Sequence, residues 1–262
     1  MNKIDLKLKE LKKKKRLGLM THVVVGYPSL PKTISLVKVM DESRVDFVEL
    51  QIPFSDPLAD GPTIMKACEK SLANGTKVKD AFDIASKLSK EVSASLLFMA
   101  YFNTVFKYGV EKFCKDSKEA GISGLIVPDM PIEEEKCENF MKFCQKYELK
   151  HIRVISPAST SERLTKNAKI ENGFVYATAR QGITGIGKKL NPDTISYLSN
   201  LREYFKIPIA VGFGISKKSD LKLIKPYAEI AVVGSAIIEI INKSEYKSLE
   251  KNVTSFINSI KL

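Results

Sequence analysis

Eight times along the chain, a short β-rich run is followed by a segment of helical periodicity. Strands separated by helices pair in parallel, and eight such units close a barrel. The runs cover residues 19–25, 45–52, 96–100, 124–127, 151–155, 173–177, 207–211 and 229–233. Between them, helices are predicted over 29–43, 62–73, 77–91, 109–120, 132–147, 159–168, 191–204 and 216–225, with helix continuing from strand eight to the end. Ser29 and Pro31 start the first of these, Asn74-Gly75 stops the second, Thr76 caps the third and Gly121 ends the fourth. Ahead of strand one, Ile4, Leu8 and Leu11 share one stripe of an additional N-terminal helix. The expectation is an α/β fold, a single-domain (β/α)8 TIM barrel over residues 1–262. Barrels of roughly 250 residues fold as one unit, and no linker-like or low-complexity tract interrupts this chain.

The second strand carries the most informative chemistry. Val48, Leu50 and Ile52 alternate with Phe47, Glu49 and Gln51, so one face is apolar and the other holds an acid. If helices cover the apolar face, Glu49 points into the barrel, where an unpartnered carboxylate is costly to desolvate. Pro53 and Pro57 then stop the strand, and Asp60-Gly61-Pro62 reads as a turn entering a helix, which puts a second acid on a loop. The bland readings are a satisfied buried carboxylate at Glu49 and a turn or cap residue at Asp60.

Composition narrows the partners. Hydrophobic residues at 44% and charged residues at 27% describe an ordinary globular chain. The net charge of +12 favours anionic ligands, yet its lysines are scattered over predicted helices, which argues against nucleic acid. Lys12 to Arg16 before an apolar run has the look of a signal peptide, but no small-residue cleavage site follows, and no run approaches a membrane span. A cytoplasmic protein is expected. Cys68, Cys114, Cys137 and Cys144 show no metal-binding or redox spacing. Cys137, Phe140, Met141 and Cys144 recur as the core stripe of one predicted helix.

Function in such a barrel gathers at the C-terminal strand ends. There stand Glu49, Gln51 and Asp60 after strand two, Tyr101 to Asn103 after strand three, Pro128-Asp129 after strand four and Tyr176 in strand six. Glycine-bearing turns follow strand six (Arg180 to Gly187), strand seven (Gly212 to Ser216) and strand eight (Gly234-Ser235). Glycines let backbone amides approach an anion, and a helix starting near Ser235 adds its positive end, so a phosphate site is expected.

The stretch from Glu49 through Gln51-Ile52-Pro53-Phe54-Ser55-Asp56-Pro57-Leu58-Ala59-Asp60 to Pro62 closely resembles the signature of the tryptophan synthase α subunit family. Tyr101, Asn103, Arg180 to Gly185, Gly212 to Ser216 and Gly234 to Ala236 extend the resemblance over essentially the whole chain. It implies retro-aldol cleavage of indole-3-glycerol phosphate to indole and D-glyceraldehyde 3-phosphate, with neither metal nor organic cofactor in this chain. A pyridoxal-phosphate-containing β subunit is the implied partner, in an α2β2 assembly. Glu49 is implied as acid and base, Asp60 as acceptor of the indole N–H, and Thr184 as the residue joining Asp60 when the loops close. By the same resemblance His22, Ile64, Tyr176 and Phe213 line the indole pocket, while Gly185, Gly214, Gly234 and Ser235 cradle the phosphate. Asp56, Asn103 and Asp129 are tied to loop ordering and communication with the β subunit; Asp56 and Asp129 read equally as turn residues beside prolines.

Three positions depart from the family pattern. Gln51 stands where glycine is usual, on the strand face of Glu49, where its amide can hydrogen-bond that acid or narrow the pocket. His22 replaces an apolar or aromatic wall residue, and Ala179 a common serine. His151 reads as structural. Three functions therefore compete: the active lyase, a catalytically weak α-like chain acting as binding partner or activator of a β subunit, and another phosphate-binding barrel acting on phosphoribosyl anthranilates. The last gives no reason for the Glu49 and Asp60 pair.

Overall fold

The computed structural model describes residues 1–170, 172–178, 192–212 and 214–262. Eight parallel strands close a barrel in sequence order: β1 (Gly18–Val24), β2 (Phe47–Gln51), β3 (Ser95–Met99), β4 (Gly124–Ile126), β5 (Lys150–Ile155), β6 (Val175–Thr178), β7 (Ile209–Gly212) and β8 (Ile230–Val233). The helices in order are α1 (Lys3–Lys14), α2 (Leu30–Glu42), α3 (Pro62–Ala73), α4 (Val78–Leu88), α5 (Phe102–Tyr108), α6 (Val110–Glu119), α7 (Glu135–Glu138), α8 (Phe140–Lys146), α9 (Ser161–Ala168), α10 (Pro192–Tyr204), α11 (Lys218–Ile224), α12 (Ser235–Lys243) and α13 (Leu249–Ile260).

Alternation along the strands divides the apolar residues into two cores. Val48, Leu50 and Ile52 join the outer core between sheet and helices, whereas Phe47 belongs to the inner one with Met20, Leu97, Met99, Ile126, Ile152, Phe174, Ala210, Ile230 and Val232. Ile4 and Leu11 of α1 are buried in that inner core, with Leu8 packed against it. The N-terminal helix thus stoppers one end of the barrel and leaves the other for a ligand.

Local differences from the sequence reading have local causes. Lys77, not Thr76, precedes α4; Asp80 accepts the Lys77 N–H at 2.7 Å, and Thr76 is buried. The helix predicted over 132–147 is broken at Asn139, whose φ of 56° is left-handed, into α7 and α8. That break turns Cys137 out of the core stripe: Cys137 is exposed and Met141 half-buried, while Phe140 and Cys144 stay buried. Helix α5 was not expected; Asp129 Oδ1 accepts the Phe102 N–H at 2.8 Å to start it, and Gly109, with φ of 94°, separates it from α6.

His151 faces outward on β5, its ring edge-on to Phe140 at 4.9 Å. Burial, helped by the charge of Arg153, holds this imidazole down at about 3. An unfolded histidine titrates near ~6.5, so the unfolded chain binds a proton that the folded one refuses. The stability His151 contributes is complete above that value and falls with pH toward about 3, at about 1.4 kcal/mol per pH unit. His151→Phe is therefore expected to flatten the urea-unfolding free energy against pH in this window; an unchanged slope would clear His151 of the effect.

Candidate active site

Parallel register sets His22 on β1 opposite Glu49 on β2, and Val24 opposite Gln51. His22, Glu49 and Gln51 are all buried, and His22 Nδ1 lies 3.3 Å from Glu49 Oε1. Glu49 Oε2 has no hydrogen-bond partner among the described residues. His22 and Glu49 line a cavity together with Ala59, Asp60, Ile64, Met99, Ile126, Pro128, Val154, Tyr176, Thr178, Gly212, Gly214, Val232, Gly234 and Ser235.

Asp60 reaches the same cavity from the β2–α3 loop. Its Oδ2 accepts Gln51 Nε2 at 2.6 Å and the Tyr101 hydroxyl at 2.8 Å, leaving Oδ1 for a donor on a ligand. The Tyr101 oxygen also accepts the Ala59 N–H at 2.9 Å, and its ring stacks on Phe54 at 5.2 Å. One phenol therefore holds both the carboxylate and its loop. Of the alternatives open from the sequence, the Gln51 amide takes neither a bond to Glu49 nor an idle place: it donates to Asp60, because the loop brings Asp60 back over β2.

Burial shapes the charges here. It raises Asp60 above the ordinary aspartate value, against the pull of His22, Tyr101 and Gln51. Burial opposes a charge on His22 as well, but the Glu49 carboxylate, then Asp60 and the Gln51 side chain, carry its proton affinity above the usual histidine value. The Tyr176 phenol is pushed up by burial and by the negative charge of Glu49 and Asp60, and the thiol of Cys68 is pushed up to about 12, chiefly by burial. Both groups stay neutral.

In the same cavity lining, the first turn of α12 begins at Ser235, with Gly234 before it. A Cβ at Gly234 would meet His22 Cβ at 3.6 Å, an ordinary contact, so the chain's own packing does not demand a glycine there. At Gly212 the reverse holds, since a Cβ would come 3.0 Å from the Tyr176 ring. The cavity thus gathers Glu49, Asp60, His22, Ile64, Tyr176, Gly214, Gly234 and Ser235. Thr184, Gly185, Phe213 and Ala179 lie outside the described residues. Asp56, Asn103 and Asp129 are exposed on loops and α5, outside the cavity lining, with Asp56 accepting the Ser55 hydroxyl at 2.6 Å. Tyr101, a strand-end candidate to which the sequence assigned no role, acquires one here; its inward position after Leu97 and Met99 is the signal that places it in the site.

Fold and cavity together define a (β/α)8 barrel with an acid pair at the C-terminal face of its strands. The family model of the tryptophan synthase alpha chain matches residues 8–261. The tryptophan synthase alpha chain of Desulfotalea psychrophila is 44% identical over 248 residues, 95% of this chain and 97% of that protein. Its counterpart from Clostridium kluyveri is 38% identical over 262 residues, 100% and 98% of the two chains. Tryptophan synthase subunit alpha from Legionella pneumophila superposes with a TM-score of 0.90 at 30% identity, covering 99% of this chain and 97% of that one. The chain belongs to the tryptophan synthase alpha chain family, lyases that cleave indole-3-glycerol phosphate and pair with a β subunit. Among the described residues, no helix is long and apolar enough to cross a membrane.

Proposed function

We propose that this chain releases indole from indole-3-glycerol phosphate with Glu49 as the proton carrier and Asp60 as the electrostatic partner of the indole nitrogen. The observation that supports this division is the different bonding of the two buried acids. Glu49 keeps one oxygen unpartnered at the cavity, while Asp60 has one oxygen fixed by two donors. Cleavage requires a proton at indole C3, which places positive charge on the ring nitrogen. The C3 to side-chain bond then breaks as the carbinol hydroxyl loses its proton and becomes the aldehyde carbonyl, and the bond electrons restore the ring. A proton is given and a proton is taken, so one carboxyl group completes the cycle, an acid–base contribution of about 10² to 10⁴ in rate. Asp60 Oδ1 receives the N–H as charge develops on it. These transfers use side chains alone, and no cofactor is assigned to this chain.

His22, Ile64 and Tyr176 serve as walls for the indole ring, with Phe213 expected beside them. Gly214, Gly234 and Ser235, with Gly185, hold the phosphate at the start of α12. The resemblance assigns Thr184, which lies outside the described residues, as the partner of Asp60, and Asp56, Asn103 and Asp129 order the loops that face a β subunit in an α2β2 assembly whose β subunit carries pyridoxal phosphate. Support for docking on that side comes from Leu58, 85% exposed on the β2–α3 loop, and Phe106, 57% exposed on α5. The direct test is indole release by the purified chain given indole-3-glycerol phosphate, with and without a β subunit. Turnover that rises with the β subunit is expected. Absence of indole in both, with the β reaction still stimulated, would establish the binding-partner reading instead.

A further inference from the structure

The two acids are each in contact with a side chain that departs from the family pattern. Glu49 has His22, and Asp60 has Gln51. What remains of those two partners is a matched pair of buried atoms. His22 Nε2 and Gln51 Oε1 both lack a hydrogen-bond partner among the described residues. One is a donor when the imidazole is protonated, and the other is an acceptor only. The two residues are 4% and 0% exposed, so water does not serve either atom freely.

We propose that His22 and Gln51 bridge the two acids as positioning residues, the protonated imidazole holding the Gln51 carboxamide in the orientation that donates to Asp60. The inference rests on the roles given above to Glu49 and Asp60. Its logic is one of directions. With Nδ1–H toward Glu49, a protonated ring has its Nε2–H left over, and the bridge assigns it to the Gln51 oxygen, the other unpaired atom, which leaves the Gln51 amino group for Asp60 Oδ2. A neutral ring keeps the Nδ1 proton beside the carboxylate and turns a lone pair toward the Gln51 oxygen. Two acceptors then oppose each other, and rotating the carboxamide to relieve them turns its oxygen against Asp60. Loss of a proton beside one acid is thereby felt at the other.

The groups that face His22 agree with a protonated ring. Glu49 from β2 and Asp60 from the loop are acidic, and the Gln51 carboxamide favours the charged form. Tyr176 from β6, in the same cavity lining, is kept neutral by burial. Around the cavity, β8, α3 and α12 contribute Val232, Gly234, Ile64 and Ser235, none of which titrates in the accessible range.

The chain has two histidines, and His151 is held down at about 3, so the imidazole that titrates above it in ¹⁵N-histidine NMR of the ligand-free protein is His22. Gln51→Gly, which removes the acceptor, is expected to lower that midpoint by about one pH unit. In indole release, His22→Phe and Gln51→Gly are each expected to lower kcat roughly tenfold and to remove the alkaline limb of the profile, with little change in KM. The double variant should be no worse than the more severe single one. An unmoved midpoint, or additive losses with an unchanged pH profile, overturns the bridge. A shifted midpoint in a chain that releases no indole sustains the bridge and removes instead the roles given to the acids.

Discussion

Glu49→Gln is expected to lower indole release by at least about 10² to 10⁴, the range lost with a general acid–base group, while leaving binding of a non-cleavable indole phosphate within a few-fold. The substitution is nearly isosteric. Its carboxamide oxygen still accepts from His22 Nδ1, now 3.3 Å from Glu49 Oε1, so the β1 and β2 contact survives. The cavity therefore keeps its shape and loses only a group able to deliver and reclaim a proton. Kinetically that is a transition-state effect, read as a fall in kcat with KM little changed. Single-turnover indole release beside equilibrium binding of the analogue separates the two quantities. Near-normal turnover would take Glu49 out of the chemistry and leave it a buried partner of His22.

Much of this site was legible because alternation along a strand is a rigid constraint. Once Val48, Leu50 and Ile52 are packed under helices, Glu49 and Gln51 have nowhere to point but inward, and the observed cores divide there. The same parity puts Tyr176 inside β6 and His22 inside β1. Helix α3 was recoverable to the residue, since Pro62 fits a first helical turn and Asn74-Gly75 ends it.

Contacts set by how a loop folds back were not recoverable. Gln51 and Glu49 share a strand face, which left a bond between them open; the β2–α3 loop instead returns Asp60 to within 2.6 Å of the Gln51 amide. Tyr101 takes its importance from that same return, which nothing in the sequence around it encodes. The break at Asn139 was equally hidden. The apolar spacing through Cys137, Phe140 and Cys144 is helical, and one left-handed residue suffices to put Cys137 on the surface. Periodicity reports which residues want burial, and a single dihedral decides whether they share a face.

Gly234→Asp separates the phosphate site from the fold. Gly234 has φ of −105°, outside the left-handed region, and a Cβ there meets nothing closer than 3.6 Å, so the backbone and its neighbours admit a side chain. The position immediately precedes α12, where the helix's positive end favours a carboxylate, and against the glycine already there the difference is only about a few tenths of a kcal/mol. The variant is accordingly expected to melt no lower than the parent. Ligand binding should respond in the opposite sense. A carboxylate at the start of α12 occupies the place of the phosphate and sets like charges a few ångströms apart, an opposition of about 4 kcal/mol at an effective dielectric of 20 before screening. Affinity for glyceraldehyde 3-phosphate should fall by on the order of a hundredfold or more, and affinity for indole by far less, since the new Cβ stands 3.6 Å from His22 and 3.9 Å from Ile64 but the neutral ring carries no charge for the carboxylate to oppose. Calorimetric titration of each product against both proteins reads the two effects separately. Equal losses for indole and for the phosphate would mean that the new side chain distorts the whole cavity, and unchanged phosphate binding would place the anion somewhere other than the first turn of α12.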